Sequence, residues 1–194
     1  MNTLTDMQLD ALRELANIGS GNAGTALGSM LGKSVDISVP TAAVLPLPEA
    51  VAIAGGPDEM RFGVVVPVVG DMDAIVVLLF PESDAQKLCG TYGIDPHTPD
   101  GTSMLGEVGN ILGTNYINVL AQMVAMEIEP APPQVVEDML GAILESVLIG
   151  RGDDIDTALI LDSQLMVEEE ECSLSFLLLP AAGGVAELLG RLGL

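Results

Sequence analysis

The sequence predicts an α+β protein in which long helices cover a sheet and residues 1–194 form one pseudo-two-fold domain. Hydrophobic residues make up 49% of the chain, enough to bury a substantial core in one body of this length. Two long segments repeat apolar residues at helical spacing, and segments with strand composition follow each of them. This order recurs in residues 5–95 and 100–194, which predicts two α-β-β-α repeats that share one core.

The first predicted repeat begins with a helix over residues 5–31, where apolar side chains recur at helical spacing. A strand pair follows at 61–69 and 74–80, joined by a Gly-Asp turn, because aliphatic residues dominate both segments. A short helix that ends near Tyr92 completes the repeat. Prolines concentrate in residues 40–48, which we therefore expect to form an exposed connection.

The second predicted repeat has the same order, with a long helix over residues 102–125 and a strand pair at 157–167 and 173–179. A short helix over 184–192 completes it. An additional helix over 137–149 is expected to account for the longer segment between the long helix and the strand pair. The two repeats are therefore expected to differ mainly at this point.

Residue identities support the repeat position by position. A shift of 93 positions superposes the first long helix on the second and carries a downstream proline with it. The segment 95–100 lies near the repeat boundary, and its composition predicts a second exposed connection. The identical pairs include Leu12 and Leu105, Glu14 and Glu107, Asn17 and Asn110, Ile18 and Ile111, and Pro40 and Pro133.

Charge and cysteine content exclude several classes of function. The chain has 28 acidic and 6 basic residues, a formal net charge of −22, which repels nucleic acid and anionic membrane surfaces. We interpret the acidity as a solvated surface, which would also suit a high-salt cytoplasm. No apolar run reaches the roughly 20 residues of a membrane span, so no membrane insertion is expected. Cys89 and Cys172 are too few for a disulfide framework, and we expect a cytoplasmic protein.

The first long helix places a polar pair opposite its apolar face. At about 100° per residue, Glu14 and Asn17 stand one turn apart on the side away from the core. Glycines inside a helix cost about 1 kcal/mol each relative to alanine, so a close contact should compensate for them. Packing within the molecule and docking of a partner protein are equally good explanations. The residues predicted to share this stripe and to dock a partner are Asp10, Gly21, Gly24 and Gly28.

The second long helix carries the pair Glu107 and Asn110 at the same helical phase. Ile117 stands where the first helix has Gly24, so this stripe is bulkier. We therefore expect two sites that bind a partner with different affinity. The further residues predicted to contact the partner here are Ser103 and Thr114, and Ala121 stands where the first helix has Gly28.

Such pairs are suited to positioning rather than to proton transfer. A single Glu-x-x-Asn on a helix is usually part of a solvated face, but its recurrence at one helical phase favours a site. An Asn carboxamide can orient a water molecule in line with phosphorus, and it does not titrate. A Glu one turn away can pair with a lysine of a protein substrate and set the register of docking. The residues interpreted as catalytic are Glu14, Asn17, Glu107 and Asn110.

One spacing describes both copies: Asp or Ser, three residues, Glu, two residues, Asn, twenty-two residues, Pro. Asp10, Glu14, Asn17 and Pro40 match it in the first copy, and Ser103, Glu107, Asn110 and Pro133 match it in the second. This pattern resembles the signature of the CheC, CheX and FliY family of chemotaxis phosphatases. The resemblance is greatest to CheC, since FliY-like members add a flagellar switch domain and CheX-like members keep one site.

The resemblance covers essentially the whole chain and implies a CheC-like fold. It implies hydrolysis of the aspartyl phosphate of CheY, with the Asn of each pair placing the attacking water and the Glu contacting CheY. It also implies Mg²⁺ in the CheY substrate, no cofactor of the chain's own, and CheD as a partner.

Other functions agree less well with the sequence. A non-catalytic regulatory module that binds CheD or a flagellar switch component remains the alternative. His97 is predicted to be a plain exposed loop residue, because no acidic residues surround it at metal-ligand spacing. Residues 153–156 lack the spacing of a calcium loop, and residues 19–22 follow no strand, unlike a phosphate-binding loop. No base partner for a nucleophilic Ser or Cys can be identified.

Overall fold

Both halves of the chain contain the same succession of helices and strands. The computed structural model describes residues 6–151 and 155–192, and within them it confirms the predicted α+β class, with an antiparallel sheet. The first half contains α1 (Asp6–Leu31), β1 (Val35–Pro46), α2 (Leu47–Ala54), β2 (Met60–Gly70), β3 (Ala74–Pro81) and α3 (Glu82–Gly90). The second half contains α4 (Pro99–Val124), β4 (Ile128–Pro130), β5 (Gln134–Met139), α5 (Leu140–Arg151), β6 (Thr157–Val167), β7 (Glu170–Pro180) and α6 (Gly184–Arg191).

Helix α4 begins one turn earlier than the apolar periodicity predicts, because of its N-terminal cap. Thr98 is extended, and its hydroxyl oxygen accepts a hydrogen bond from the Gly101 amide at 3.2 Å. Pro99 occupies the first turn, where its missing N–H removes no helical hydrogen bond. Apolar residues recur at helical spacing only after this polar turn, so the periodicity alone cannot locate the start of the helix.

The 93-residue repeat extends further than the sequence identities indicate. The same shift carries α1 onto α4, β1 onto β4 and β5, and the start of α2 at Leu47 onto the start of α5 at Leu140. Each repeat therefore has a strand segment and a helix more than the predicted α-β-β-α unit. Helix α5 has 12 residues and α2 has 8, which explains why the strands that follow are related by a larger shift.

One predicted connection and one predicted helix are corrected by these elements. The prediction of an exposed connection over 40–48 is wrong, because these residues complete β1 and begin α2. Pro46 is the N-cap of α2 and Pro48 lies in its first turn, where proline is well tolerated. The helix predicted over 137–149 is α5, but its first predicted residues belong to β5. It is not an additional helix either, since α2 is its counterpart.

One antiparallel sheet joins the two halves, and each half supplies an outer strand to the other. The order is β1-β6-β7-β3-β2, and β4 and β5 both pair with the outer side of β2. Thus β1 pairs with the β6–β7 hairpin of the second half, whereas β4 and β5 pair with the β2–β3 hairpin of the first. The equivalent strands β3 and β7 are antiparallel neighbours, with Leu78 opposite Phe176. An approximate two-fold axis therefore passes between them, normal to the sheet.

Helices cover both faces of this sheet. Residues of the long helices α1 and α4, with α3 and α6, form one hydrophobic core with the first face, and α2 and α5 form a second core with the other face. Strands β3 and β7 are consequently buried from both sides, which accounts for their almost continuous apolar sequences. Because the two-fold axis also relates α1 to α4, these helices run antiparallel, and they pack against each other.

The two long helices approach most closely at Gly19 and Tyr116. A Cβ atom at Gly19 would overlap the tyrosine ring, with Cε1 only 2.7 Å away, so glycine is needed for this approach. Tyr116 is fully buried, and the centroid of its ring lies 5.1 Å from that of Phe176 on β7. By the two-fold relation, the midpoint of the helix contact lies level with Gly21 of α1 and Thr114 of α4 along the helix axes.

Candidate functional site

The first Glu-x-x-Asn pair lies on the exposed side of α1. Glu14 and Asn17 are exposed, whereas the adjacent Leu15 is buried in the core, as the helical phase predicts. Asp10 is exposed one turn earlier, and its carboxylate accepts a hydrogen bond from Arg13 at 3.0 Å. Three of the predicted site residues are therefore brought together on one open helix surface.

The second pair lies at the edge of a groove. On α4, Ser103 and Glu107 are exposed and Asn110 is half-buried. The groove has a volume of about 650 Å³ and lies between the first turns of α4 and the β4–β5 connection. Its lining residues are His97, Pro99, Thr102, Ser103, Gly106, Glu107, Pro133 and Val135.

The proline that ends the motif interrupts the strand that follows each long helix. Pro133 lies between β4 and β5 and lines the groove of the second site. In the first copy, the pairing of β1 with β6 shifts between Ser38 and Thr41, the segment that contains Pro40. Proline has no N–H for a sheet ladder, so it is tolerated at such a bulge or break. The motif thus joins a helix stripe to an irregular point in the next strand.

Two glycines of the first stripe serve the packing of the chain itself. Gly24 is buried, and a Cβ atom there would lie 3.2 Å from the carbonyl oxygen of Val35. A Cβ atom at Gly28 would lie 3.1 Å from the carbonyl oxygen of Lys33. The expectation that these two glycines lie open to a partner is therefore not met, because β1 and the turn before it occupy the space. Gly21 is exposed, and no neighbouring element among the described residues comes within 4 Å of its Cβ position.

The predicted difference between the two stripes also lies inside the fold. Ile117, which replaces Gly24, is fully buried, and Ala121, which replaces Gly28, is half-buried. The size of these side chains affects how α4 packs and not the exposed surface beside the second pair. The sequence predicts unequal sites from the larger side chains beside the second pair, and this reason is wrong because those side chains do not lie on the exposed surface.

The two sites are separate surfaces on either side of the helix contact. Gly21 and Thr114, also predicted to dock a partner, lie level with the midpoint of that contact along the helix axes, and Gly21 is exposed while Thr114 is half-buried. At 1.5 Å per residue, each Glu-x-x-Asn pair lies about 6–10 Å along its helix from the midpoint. Since the helices are antiparallel, the two pairs lie in opposite directions from it.

His97 is an exposed loop residue, as the sequence predicts, and it also lines the groove of the second site. Its Nδ1 lies 2.8 Å from the Glu137 carboxylate on β5, and its Nε2 lies 3.6 Å from the Glu82 carboxylate on α3. The centroid of its ring also lies 5.3 Å from that of Phe62 on β2. These partners are distant from His97 in sequence, so no local sequence pattern could show that its imidazole lies in the wall of the groove. Together they hold the imidazole at the wall of the groove.

The described part of the chain offers little to metal or cysteine chemistry. No group of three or more His, Cys, Asp or Glu side chains within it is arranged to hold a metal ion. Asp153 and Asp154 of the calcium-loop-like segment lie outside the described residues. Burial raises the pKa of Cys89 and Cys172 to about 11, so both thiols are protonated and poorly nucleophilic at neutral pH. Of the helices described, none has the length and apolar character needed to cross a membrane.

The chemistry of the two sites is that of an amide and a carboxylate presented on a protein surface. Sites for small molecules are concave and bury most of the ligand. Glu14 and Asn17 instead project from an open helix, and Glu107 stands at the rim of a groove. Exposed side chains of this kind can reach a partner macromolecule, and an amide can hold a water molecule while a carboxylate pairs with a cation.

Comparison with known proteins relates these features to one family. Residues 7–43 and 101–137, each of which begins in a long helix and ends in the strand region after it, match the CheC-like family. The chain is 28% identical over 202 residues to the CheY-P phosphatase CheC of Bacillus subtilis, covering 99% of this chain and 97% of the relative. Its fold matches FliY of Thermotoga maritima with a TM-score of 0.76 and 18% identity, over 98% of each chain. It also matches the FliM middle domain of H. pylori with a TM-score of 0.67 and 12% identity, over 97% of this chain and 99% of the other. The chain is therefore similar to CheC-like proteins in sequence over both motif segments and in fold over its whole length.

Proposed function

We propose that this protein accelerates hydrolysis of the aspartyl phosphate of the chemotaxis response regulator CheY. The observation that carries the proposal is the recurrence of one Glu-x-x-Asn pair at equivalent positions of α1 and α4, with both Glu side chains and Asn17 exposed and Asn110 half-buried. The full-length similarity to a CheY-P phosphatase supports a role in chemotaxis and suggests the substrate.

In the proposed reaction, a water molecule attacks phosphorus and the bond between phosphorus and the aspartate oxygen breaks. The products are inorganic phosphate, which takes up the proton of the water, and the free carboxylate of CheY. The amide oxygen of Asn17 or Asn110 accepts a hydrogen bond from the water and holds it in line with the breaking bond. A Mg²⁺ ion held by CheY would offset the charge on the phosphoryl group.

Glu14 and Glu107 have a positioning role in this mechanism. Each stands one helical turn before its Asn, so a single docking event brings both side chains to the same partner surface. A carboxylate that pairs with a lysine of CheY fixes the register in which the amide approaches the phosphate. Because Asn does not titrate and Glu transfers no proton, the rate gain comes from positioning the water.

The test is the rate of phosphate release from phosphorylated CheY with the wild-type chain and with Asn17→Ala, Asn110→Ala and the double variant. We expect each single variant to retain part of the activity and the double variant to fall to the rate of CheY alone. Asn22→Ala and Asn118→Ala are matched controls, since both residues are exposed on the same two helices but lie outside the pairs. Wild-type rates in the double variant would contradict the proposal.

A regulatory binding module is the second candidate, and the fold shared with the FliM middle domain motivates it. Such a module would bind CheD or a flagellar switch component and leave the rate of CheY dephosphorylation unchanged. Association with CheD is also compatible with the phosphatase. Co-elution of the two purified proteins tests it independently of the rate measurement.

A further inference from the structure

The two sites differ most at the residue that precedes the Glu of each pair. This residue is Arg13 in α1 and Gly106 in α4, which the 93-residue shift makes equivalent. Arg13 is exposed and pairs with Asp10 at 3.0 Å, whereas Gly106 is buried and Ser103, the equivalent of Asp10, carries no charge. The first site therefore presents an exposed ion pair where the second presents a buried glycine and an uncharged serine.

Gly106 lies where α4 approaches β5 closely, and its lack of a side chain leaves the groove beside it unfilled. A Cβ atom at Gly106 would lie 2.9 Å from Cγ2 of Val135, closer than side-chain atoms normally come. Val135, Pro133 and Pro99 form the apolar part of the lining, and Thr102, Ser103 and Glu107 belong to its polar part. Any side chain longer than hydrogen at position 106 would push against Val135, and a long one would fill the groove.

Negative charge surrounds the groove. Glu107 lines it, and His97 in its wall lies between the carboxylates of Glu137 and Glu82. The backbone amide of His97 also donates to the carboxylate of Asp95 at 3.0 Å. Four carboxylates thus accompany one imidazole, so the groove attracts cations. A groove with one apolar wall and a carboxylate at the rim suits lysine or arginine, whose aliphatic stem packs while its charged head stays near water.

We propose that the groove beside Gly106 receives a lysine or arginine side chain from the docking face of phosphorylated CheY. Arg13 denies this contact to the first site, because its guanidinium repels an incoming cation and already pairs with Asp10. The second site therefore docks CheY more tightly than the first. The inference rests on the proposed function and adds to it the position that distinguishes the two sites.

Single-site variants measure the difference. Asn17→Ala leaves turnover to the second site, and Asn110→Ala leaves it to the first. We expect KM for phosphorylated CheY to be about tenfold lower in Asn17→Ala, which corresponds to about 1.4 kcal/mol of docking energy, with a similar kcat. In the Asn17→Ala background, Gly106→Arg and Ser103→Arg should each raise KM to near the value of Asn110→Ala.

Two features of the design keep the result interpretable. Gly90→Arg in the same background controls for the added charge, since no neighbouring element described meets a Cβ atom there. Gly106→Arg could unfold the chain because its side chain would overlap Val135. Ser103 is exposed, so Ser103→Arg still tests whether a positive charge at the groove raises KM. An unchanged KM in Ser103→Arg, or a lower KM in Asn110→Ala than in Asn17→Ala, overturns the proposal.

Binding measured without turnover separates this inference from the phosphatase function. Titration calorimetry with beryllofluoride-activated CheY gives the affinity of the Asn17→Ala chain and of its Ser103→Arg derivative. If the Ser103→Arg derivative bound CheY more weakly and the wild-type chain hydrolysed no phosphate, the phosphatase function would be refuted. The role of the groove in docking CheY would still hold. Normal hydrolysis by the wild-type chain, with equal affinities of the Asn17→Ala chain and its Ser103→Arg derivative for CheY, would refute only the role of the groove in docking.

Discussion

Replacing Gly19 by alanine tests the close approach of α1 to α4, which sets the position of the two sites relative to each other. Alanine is favoured over glycine in a helix by about 1 kcal/mol, so an unobstructed helix would gain stability. At Gly19 the new methyl group would meet the ring of Tyr116, with Cε1 at 2.7 Å. That ring is 1% exposed and packs on Phe176, so it cannot move aside freely. Overpacking costs about 1–3 kcal/mol, and since several ring atoms are involved we expect a net loss of about 1–2 kcal/mol.

Gly21→Ala is the matched control, two residues along the same helix. Gly21 is exposed with open space around its Cβ position, so this change should raise the free energy of unfolding by about 0.5–1 kcal/mol. Urea unfolding followed by circular dichroism gives both values. A double-mutant cycle with Tyr116→Ala should remove the penalty of Gly19→Ala, since the ring that it meets is absent. If Gly19→Ala stabilised the protein as much as Gly21→Ala, the inferred contact between the helices would be refuted.

Two further predictions concern buried ionisable groups. Asp84→Ala should lower the free energy of unfolding by about 1–3 kcal/mol, because the carboxylate is 7% exposed and accepts a hydrogen bond from Lys87 at 2.7 Å. Asp10→Ala breaks an exposed ion pair of the same spacing and should change the free energy of unfolding by less than about 1 kcal/mol. If Asp84→Ala and Asp10→Ala destabilised the protein equally, the role given to burial would be wrong. Stability should be constant up to about pH 9 and then fall towards pH 12, because burial raises the pKa of both cysteines to about 11 and that of Tyr116 to about 12. The unfolded chain loses these protons first, so urea midpoints from pH 8 to 11.5 should decline, and Tyr116→Phe should make the decline shallower.

Periodicity in the sequence predicts the elements that are buried on one side or throughout. The long helices and the two central hairpins were predicted with bounds within a few residues, because their apolar residues recur at a helical or strand period. Strand β1, with the bulge near Pro40, and the interrupted pair β4 and β5 were not predicted. They lie at the outer sides of the sheet and contain prolines, so their half-exposed residues resemble loops. Helix α2 was missed for the same reason, since prolines flank its start.

The sequence predicted four site residues by phase but could not indicate their surroundings. Glu14, Asn17 and Glu107 are exposed as expected, and Asn110 is half-buried. His97 reaches the second site through contacts with α3 and β5, which only folding brings together. A local pattern has no information on such neighbours.

By itself the sequence determined the repeat and the helical phase of both Glu-x-x-Asn pairs, because the apolar residues of each helix define the side that must be buried. The tertiary structure alone decided which glycines are covered. A glycine has no side chain whose polarity indicates its environment, so Gly24 against β1, Gly21 in open space and Gly106 over Val135 look alike in the sequence. Their environments follow from the exchange of outer strands between the halves, which brings β1 and β5 to their places on the sheet.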